Sequence, residues 1–302
     1  MKIVIPGGSG QVGTLLARTF HADGHDVVVL SRRPRATRAA PCRVVEWDAS
    51  TPGAWAREID GADVIVNLTG QSVNCRYNAG NREAIMQSRV GSTRIVGEAI
   101  AASAHPPPVW LQASTATIYA HRSDAPNDEI DGIIGGHEPG VPETWRFSID
   151  VATAWERELD DAEVAGTQKV KLRSAMIMSP DRGGIFDTLL RLARRGLGGQ
   201  AGDGRQYVSW VHEHDFVRAI YWLIEHDEID GVVNVVAAVM FGVASGAGEA
   251  IRLGWSMRLA SIKVCAGVLA TVWVLTFSGL GLLFWPMAYA NYELLREATE
   301  RQ

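Results

Sequence analysis

Short apolar runs alternate with stretches of helical period over most of this chain. Ile3–Ile5, Asp26–Leu30, Val44–Trp47, Asp63–Leu68, Val109–Ala113, Lys169–Met178, Tyr207–Val211 and Val232–Val236 read as strands. Between them apolar residues recur at helical spacing. Val12, Leu15, Leu16, Thr19 and Phe20 mark a first helix, and Met86, Val90, Thr93 and Ile100 a long one over Asn81–Ala102. Phe147, Val151, Trp155 and Leu159 give a third over Trp145–Leu159, Asp187–Arg195 a basic amphipathic one, and Phe216, Val217, Ile220, Tyr221 and Ile224 another. Arg82, Glu83, Arg89 and Arg94 are expected on the solvated face of the long helix, and Pro106–Pro108 stops it. Strands alternating with helices predict an α/β fold with a doubly wound parallel sheet covered on both faces.

The candidate chemistry lies where strands end. After Ile3–Ile5 comes Gly7-Gly8-Ser9-Gly10-Gln11-Val12-Gly13, a glycine-rich turn opening a helix. That is the context of a dinucleotide-binding turn: Gly7 for the tight turn, Gly10 for close approach of a pyrophosphate, Gly13 for packing of helix on strand. The free N–H groups and positive end of the helix favour phosphate there. The second strand ends in Ser31-Arg32-Arg33 with no acid, so NADP is expected over NAD, Arg32 being the better phosphate ligand. Asp48 ends the third strand and either accepts from adenine or caps the next helix. Asn67, Leu68 and Gly70 end the fourth, beside the cofactor, and Met176–Ser179 end the sixth. Ala120–Glu143 is long for a connection and reads as a lid or binding loop, with Asp128, Glu129 and Asp131 as solvated acids.

Composition narrows the partners. With 302 residues and a net charge of −5, the chain does not look like a nucleic-acid binder that works through a basic surface. Cys42, Cys75 and Cys265 form no CxxC pair, which suggests free thiols in a reducing, cytoplasmic setting and no metal site. The first strand begins at once, leaving no room for a signal peptide.

The pattern changes after Val236, dividing the chain into a dinucleotide-binding region, 1–236, and a hydrophobic C-terminal region, 237–302. Val264–Tyr292 carries no Asp, Glu, Lys, Arg or His, enough to cross a bilayer, and 264–290 shows no polar face. Three readings stand: a membrane anchor with its N-terminal side in the cytoplasm, a helix buried in an oligomer such as a homodimer, or a non-native tail.

Taken together, the chain resembles the atypical extended short-chain dehydrogenase/reductases, in particular the nucleoside-diphosphate-sugar epimerase-like subfamily. The residues that carry this are Gly7–Gly13, Asn67–Gly70, Ser72-Val73-Asn74-Cys75-Arg76-Tyr77, Ser88-Arg89-Val90, Ser114–Tyr119, Arg173–Pro180 and Ser209–Asp215. The resemblance covers about Met1 to Val236. It implies a seven-stranded Rossmann sheet, a small C-terminal substrate lobe, NAD(P) as cofactor and a small-molecule substrate.

The chain departs from that family on the helix Trp145–Leu159. Extended members carry there a tyrosine acid/base and, four residues on, a lysine; anchoring the helix by Glu156 puts Ser148 and Ala152 at those positions. Neither residue does that chemistry at neutral pH. Thr115 matches the family's hydroxyl residue, and Tyr119 reads either as a substitute acid or as a packing residue with its hydroxyl paired. His121 is an alternative proton carrier. Asn74, Arg76, Tyr77, Arg205 and Trp210 are the substrate-side candidates, Arg76, Arg205 and Arg146 for an anionic group. His212 and His214 are expected to start a helix rather than hold a metal. The expectation is an NADP-dependent epimerase- or reductase-like enzyme; the rival is a catalytically silent NADP(H)-binding sensor or scaffold.

Overall fold

The period-two alternation hidden inside the apolar runs sorts each strand's side chains onto two faces, and both faces are buried. In a computed structural model, residues 1–34, 42–122, 125–197 and 208–237 are described. Among the described residues nine strands and five helices run β1 (Lys2–Pro6), α1 (Gln11–Ala22), β2 (Asp26–Ser31), β3 (Arg43–Glu46), β4 (Val64–Asn67), α2 (Ala79–Ala101), β5 (Val109–Thr115), α3 (Glu143–Asp160), β6 (Gln168–Ser174), β7 (Met176–Met178), α4 (Ile185–Arg194), β8 (Trp210–His212), α5 (Glu213–Glu225) and β9 (Gly231–Val235). Seven strands form one sheet in the order β3-β2-β1-β4-β5-β6-β9. Every pairing in it is parallel. The expected doubly wound sheet is therefore what the chain builds.

Ile3, Ile5, Val27, Val29, Val64 and Val66 face one layer, where they meet Leu16 and Phe20 of α1 and Phe216 and Ile220 of α5. Val4, Val28, Leu30 and Ile65 face the other, against Ile95, Val96 and Ile100 of α2 and Leu159 of α3. Burying an aliphatic side chain of this kind contributes about 1.5–3 kcal/mol, so two such layers dominate the stability of the sheet.

Several details differ from the sequence expectation. The strand expected over Lys169–Met178 breaks at Ala175, whose N–H donates to the Val235 carbonyl, and Met176–Met178 pair instead with Trp210–His212 in a separate two-stranded sheet. Two 3₁₀ turns, Ala54–Glu58 and Ala116–Ile118, carry no strong period and were not expected. The inward face of α2 is built from Ile85, Ser92, Thr93, Val96 and Ile100, so Met86 and Val90 sit at its margin and Arg89 faces in. The acids of 120–143 are not simply solvated: Asp128 accepts from the Ile130 and Asp131 amides, and Glu129 accepts from the Asn234 amide of β9. His212 does start a helix, its Nδ1 accepting from the His214 amide at the N-terminus of α5.

Residues 1–185 and 207–239 form one compact unit, and 186–206 with 240–302 a second. Of the second, residues 186–197 are described; there Arg191 pairs with Asp187 at 3.4 Å across one helical turn of α4. Among the described residues no helix is long and apolar enough to cross a membrane. The apolar stretch 264–290 lies outside the described residues, as does Cys265.

Two glycine substitutions test the packing of the first helix. A Cβ on Gly13 would lie 2.4 Å from the Gly8 Cα, whereas one on Gly91 in α2 would meet nothing within 4 Å. Gly13→Ala is expected to cost about 3 kcal/mol by overpacking backbone on backbone, and Gly91→Ala to add about 0.5–1 kcal/mol. Urea unfolding of both variants checks this.

Candidate functional site

The site is built at the carboxyl ends of the parallel strands, where the strand order reverses between β1 and β4. Gly7 turns the chain out of β1 with φ +74°, and a Cβ there would lie 2.8 Å from the Thr69 N and Cα. Gly7 is thus required twice over, by its left-handed backbone and by the segment after β4 pressed against it. Gly13 faces the Gly8 backbone rather than the strand, so it seals the turn on itself. Ser9 and Gly10 are exposed, and a Cβ on Gly10 would meet only the Gly7 carbonyl, at 3.6 Å. Gln11 and Val12 open α1, Val12 packing on the core. No side chain caps this helix and its first turn holds no acid. Its first amides therefore point at an uncrowded space with nothing to offset the positive end of the helix.

Two buried polar atoms beside that turn have no partner among the described residues: Gln11 Nε2 and Thr69 Oγ1. Orphaned buried groups of this kind cost free energy unless a ligand or water satisfies them. With the uncapped helix end and the room over Gly10, they fit a pyrophosphate. Across the turn, Asn67 is fully buried, its Nδ2 donating to Gln112 Oε1 at 3.0 Å and its Oδ1 accepting from the Thr69 amide at 3.1 Å. Asn67 shapes the turn through Leu68, Thr69 and Gly70, and Leu68 packs on the core.

A cavity of about 410 Å³ lies beyond β2 and β3, lined by Arg32, Glu46, Trp47, Asp48, Gly53 and Trp55 among others. Trp47 and Trp55 meet edge to face at 5.2 Å, giving it an aromatic wall. Arg32 is exposed there and forms no ion pair or hydrogen bond among the described residues. The Ser31 hydroxyl accepts from the Arg33 amide at 3.2 Å, which turns the chain at the strand end. Asp48 caps a turn of its own and not the next helical segment, Ala54–Glu58, which starts from Gly53 with no side-chain cap. Its Oδ1 accepts from the Ser50 and Thr51 amides at 2.9 and 2.8 Å and its Oδ2 from the Thr51 hydroxyl at 2.5 Å. Those hydrogen bonds, that of Thr51 foremost, draw its pKa down to about 2.

On the other side of the crevice, Thr115 ends β5 and its Oγ1 accepts from the Thr117 amide at 3.2 Å. Tyr119 is buried, its hydroxyl donating to Asn234 Oδ1 and accepting from Arg173 Nη1, both at 2.9 Å, with the Arg173 guanidinium 4.9 Å from its ring centre. Arg173 also makes a two-point ion pair with Glu156, Nε to Oε1 at 2.9 Å and Nη2 to Oε2 at 2.8 Å, and Ser114 donates to the same carboxylate at 2.5 Å. Burial works against the Arg173 charge, but Glu156 and Tyr119 outweigh it and its pKa is raised. Tyr119 is thus the packing residue with a paired hydroxyl that one of its readings describes; the rest of the network, from β5, α3, β6 and β9, shows no sign in the sequence and is revealed only by the buried Arg–Glu pair in space.

Ser148 donates back to the Thr144 carbonyl at 3.0 Å, and Ala152 is buried against Ile118, Tyr119 and Ile149. His121 is exposed, edge-on to Trp145 at 5.4 Å, its amide donating to Glu138. Met176 and Trp210 are register partners, so these two candidates share one ribbon. Asn74 and Arg76 are exposed; Tyr77 is half-buried, its ring edge-on to Phe147 at 5.5 Å. The Asn74 amide donates to the Ser72 hydroxyl at 3.2 Å, and the Arg76 carbonyl accepts from Asn81 Nδ2 at 2.7 Å. Arg146 is exposed, and Arg205 lies outside the described residues.

Residues 3–236 match the NAD dependent epimerase/dehydratase family. The chain is 30% identical over 242 residues to the epimerase family protein SDR39U1 of Bos taurus, covering 78% of this chain and 74% of that protein. It is 26% identical over 238 residues to the epimerase family protein SERP0438 of Staphylococcus epidermidis, covering 79% and 75%. Among solved structures, human SDR39U1 (isoform 2) with NADPH superposes with a TM-score of 0.65 at 28% identity, covering 78% and 74% of the two chains. MoeE5 in complex with UDP-glucuronic acid and NAD superposes with a TM-score of 0.63 at 18% identity, covering 85% and 82%, a likeness of fold alone.

Two tests address the polar groups of the site. Arg173→Met strands a buried carboxylate and is expected to cost about 3–5 kcal/mol in urea unfolding, with Glu156→Leu added in the same chain recovering much of that loss. Asp48 has a depressed folded-state pKa, so its stabilisation is present above its unfolded value of about 3.9 and is lost as pH falls towards the folded one. The stability advantage of wild type over Asp48→Asn should therefore hold at neutral pH and shrink on acidification through that window.

Proposed function

The chain belongs to the NAD-dependent epimerase/dehydratase family, and from that premise we propose that it binds NADP(H) and acts on a small or sugar-nucleotide substrate by hydride transfer. The observation that carries this reading is the pairing of an uncapped, acid-free helix start with Arg32, which has no partner among the described residues, on the aromatic cavity beyond it. The residues assigned to the cofactor are Gly7, Ser9, Gly10, Gln11, Val12 and Gly13 for the pyrophosphate and Ser31, Arg32 and Arg33 for the 2′-phosphate. Asp48 lines the adenosine cavity while holding its own turn. Asn67, Leu68, Gly70 and Met176 are assigned to the nicotinamide side. When bound, NADP(H) supplies the hydride donor or acceptor at its nicotinamide ring.

The protein's own part is to bind, orient and protonate. Thr115 is put forward as the hydroxyl that holds the substrate oxygen, since its Oγ1 is fixed by the Thr117 amide and its proton is left to donate. Tyr119 is the second hydroxyl; it passes a proton only by releasing Asn234, and Arg173 stays on its oxygen meanwhile. Asn74, Arg76, Tyr77 and Trp210 are assigned to the substrate.

One observation favours the rival, a silent NADP(H)-binding sensor or scaffold. Ala152 is buried in an apolar cluster and Ser148 is turned back onto its own helix, so α3 offers no acid/base pair.

Titration of the full chain with NADPH and NADH, followed by nicotinamide fluorescence, should give tighter binding of NADPH. Arg32→Ala should remove about 1.5–3 kcal/mol of that preference, the worth of a hydrogen bond to a charged group. Equal affinity for both nucleotides in the wild type would refute the assignment of Arg32. Single-turnover oxidation of bound NADPH against a panel of carbonyl compounds and sugar nucleotides separates enzyme from sensor. Turnover that survives Thr115→Ala combined with Tyr119→Phe would remove both hydroxyls from the reaction.

A further inference from the structure

The arginines of α1, β3, α2 and β6 mostly face acids: Arg18 meets Asp181, Arg43 Glu58, Arg82 Glu143, Arg94 Glu158 and Arg173 Glu156. Arg89 does not. It lies on the inward face of α2, one turn after Ile85, with its guanidinium over the Trp155 ring of α3 at 5.2 Å. Its Nη1 donates to the Gln71 carbonyl at 3.2 Å and the Ile85 carbonyl at 3.1 Å. Among the described residues its Nε and Nη2 have no acceptor and no carboxylate pairs with it. Burial lowers its pKa, and the pull of Tyr77 is the only opposing influence.

A cation drawn in from water without a counter-charge is costly, and two carbonyl oxygens offset only part of that cost. The guanidinium also stands at a particular place. A Cβ on Gly70 would lie 3.1 Å from its Cζ and Nη2, so the glycine leaves room for it. Gly70 follows Thr69, the residue pressed on the glycine turn, so Arg89 borders the crevice at the strand-order reversal. Trp155, under the guanidinium, is three residues past Ala152, where α3 lacks a cation.

We propose that Arg89 is an oxyanion-binding residue of this crevice, holding a carboxylate or phosphate group of the substrate through its free Nε–Nη2 edge. That edge is the one that grips such groups at two points. The proposal rests on the reading of the crevice as a dinucleotide site and narrows its substrate to an anionic one.

The test uses the full chain, first alone and then saturated with NADPH, titrated calorimetrically with inorganic phosphate and with acetate. The expected result is that the wild type binds at least one of them. Arg89→Gln should bind it about tenfold or more weakly, the loss of about 1.4 kcal/mol or more, with Arg89→Lys in between. NADPH affinity should be the same in all three. Without ligands Arg89→Gln should melt no lower than the wild type, because it removes an uncompensated charge. Identical anion binding by wild type and Arg89→Gln would overturn the proposal. So would weaker NADPH binding by Arg89→Gln with anion binding unchanged, which would give the charge to the cofactor. A lower melting temperature for Arg89→Gln with no change in anion binding would make Arg89 purely structural. Failure of the wild type to bind NADPH is seen before any anion is added and counts against the dinucleotide site; the titration of the free chain then still decides Arg89.

Discussion

The crevice depends on one backbone-on-backbone contact, the turn after β1 against the segment after β4. Gly7 has no room for a Cβ because Thr69 is already there. Neither segment holds this geometry alone. The Gly7 amide donates to the Leu30 carbonyl of β2, and the Leu68 amide to the Pro6 carbonyl, so the turn is tied to strands on both sides. What the contact leaves open is as important as what it closes. The start of α1 keeps its amides free, and the sheet reverses its order at that point, so a groove lined by backbone donors forms where an extended anionic ligand can lie.

The other half of the crevice is held by charge rather than by close packing. Glu156 and Arg173 neutralise each other in the interior, Ser114 and Tyr119 take up the remaining donors and acceptors, and Asn234 ends the chain of bonds. A network in which each buried polar group is satisfied fixes one arrangement of α3 against β5, β6 and β9. Because α3 presents an alanine and a self-bonded serine towards this region, the helix acts here as a support. The polar functions facing the crevice come instead from strand ends and from α2.

Most of the sheet was legible because both of its faces are buried, so its strands read as unbroken apolar runs with turn residues at their ends. The break at Ala175 was not legible. It is set by partners at Ser209 and Val235, far along the chain, and Met176–Met178 are as apolar as a continuing strand would be. The glycine turn was legible for the same reason the strands were, since its residue types admit few backbones. Asp48 carried two readings because a carboxylate at a strand end also serves as a helix cap, but the Ser50 and Thr51 amides hold it in a turn of its own, short of the next helical segment. Arg89 was misplaced although the spacing held the answer. Ile85, Arg89, Ser92 and Val96 follow one another at four, three and four residues, a single stripe on which Arg89 is half-buried and the other three are buried. Charge argued for solvent, and the periodicity was the better guide.

Asn234 joins two systems that are otherwise separate. Its side chain accepts from Tyr119, and its amide donates to Glu129 in the loop that follows. Both partners were synthesised more than a hundred residues earlier. The loop 120–143 and the Ser114–Glu156–Arg173 cluster therefore wait on the final strand of the sheet for their last fastening. Contacts of such long sequence separation form late, because the intervening chain must be ordered first. A nascent chain emerging from the ribosome will have its glycine turn and first strands in place well before the opposite wall of the crevice is locked, so the protein's competence to hold a ligand arrives only when its ninth strand does.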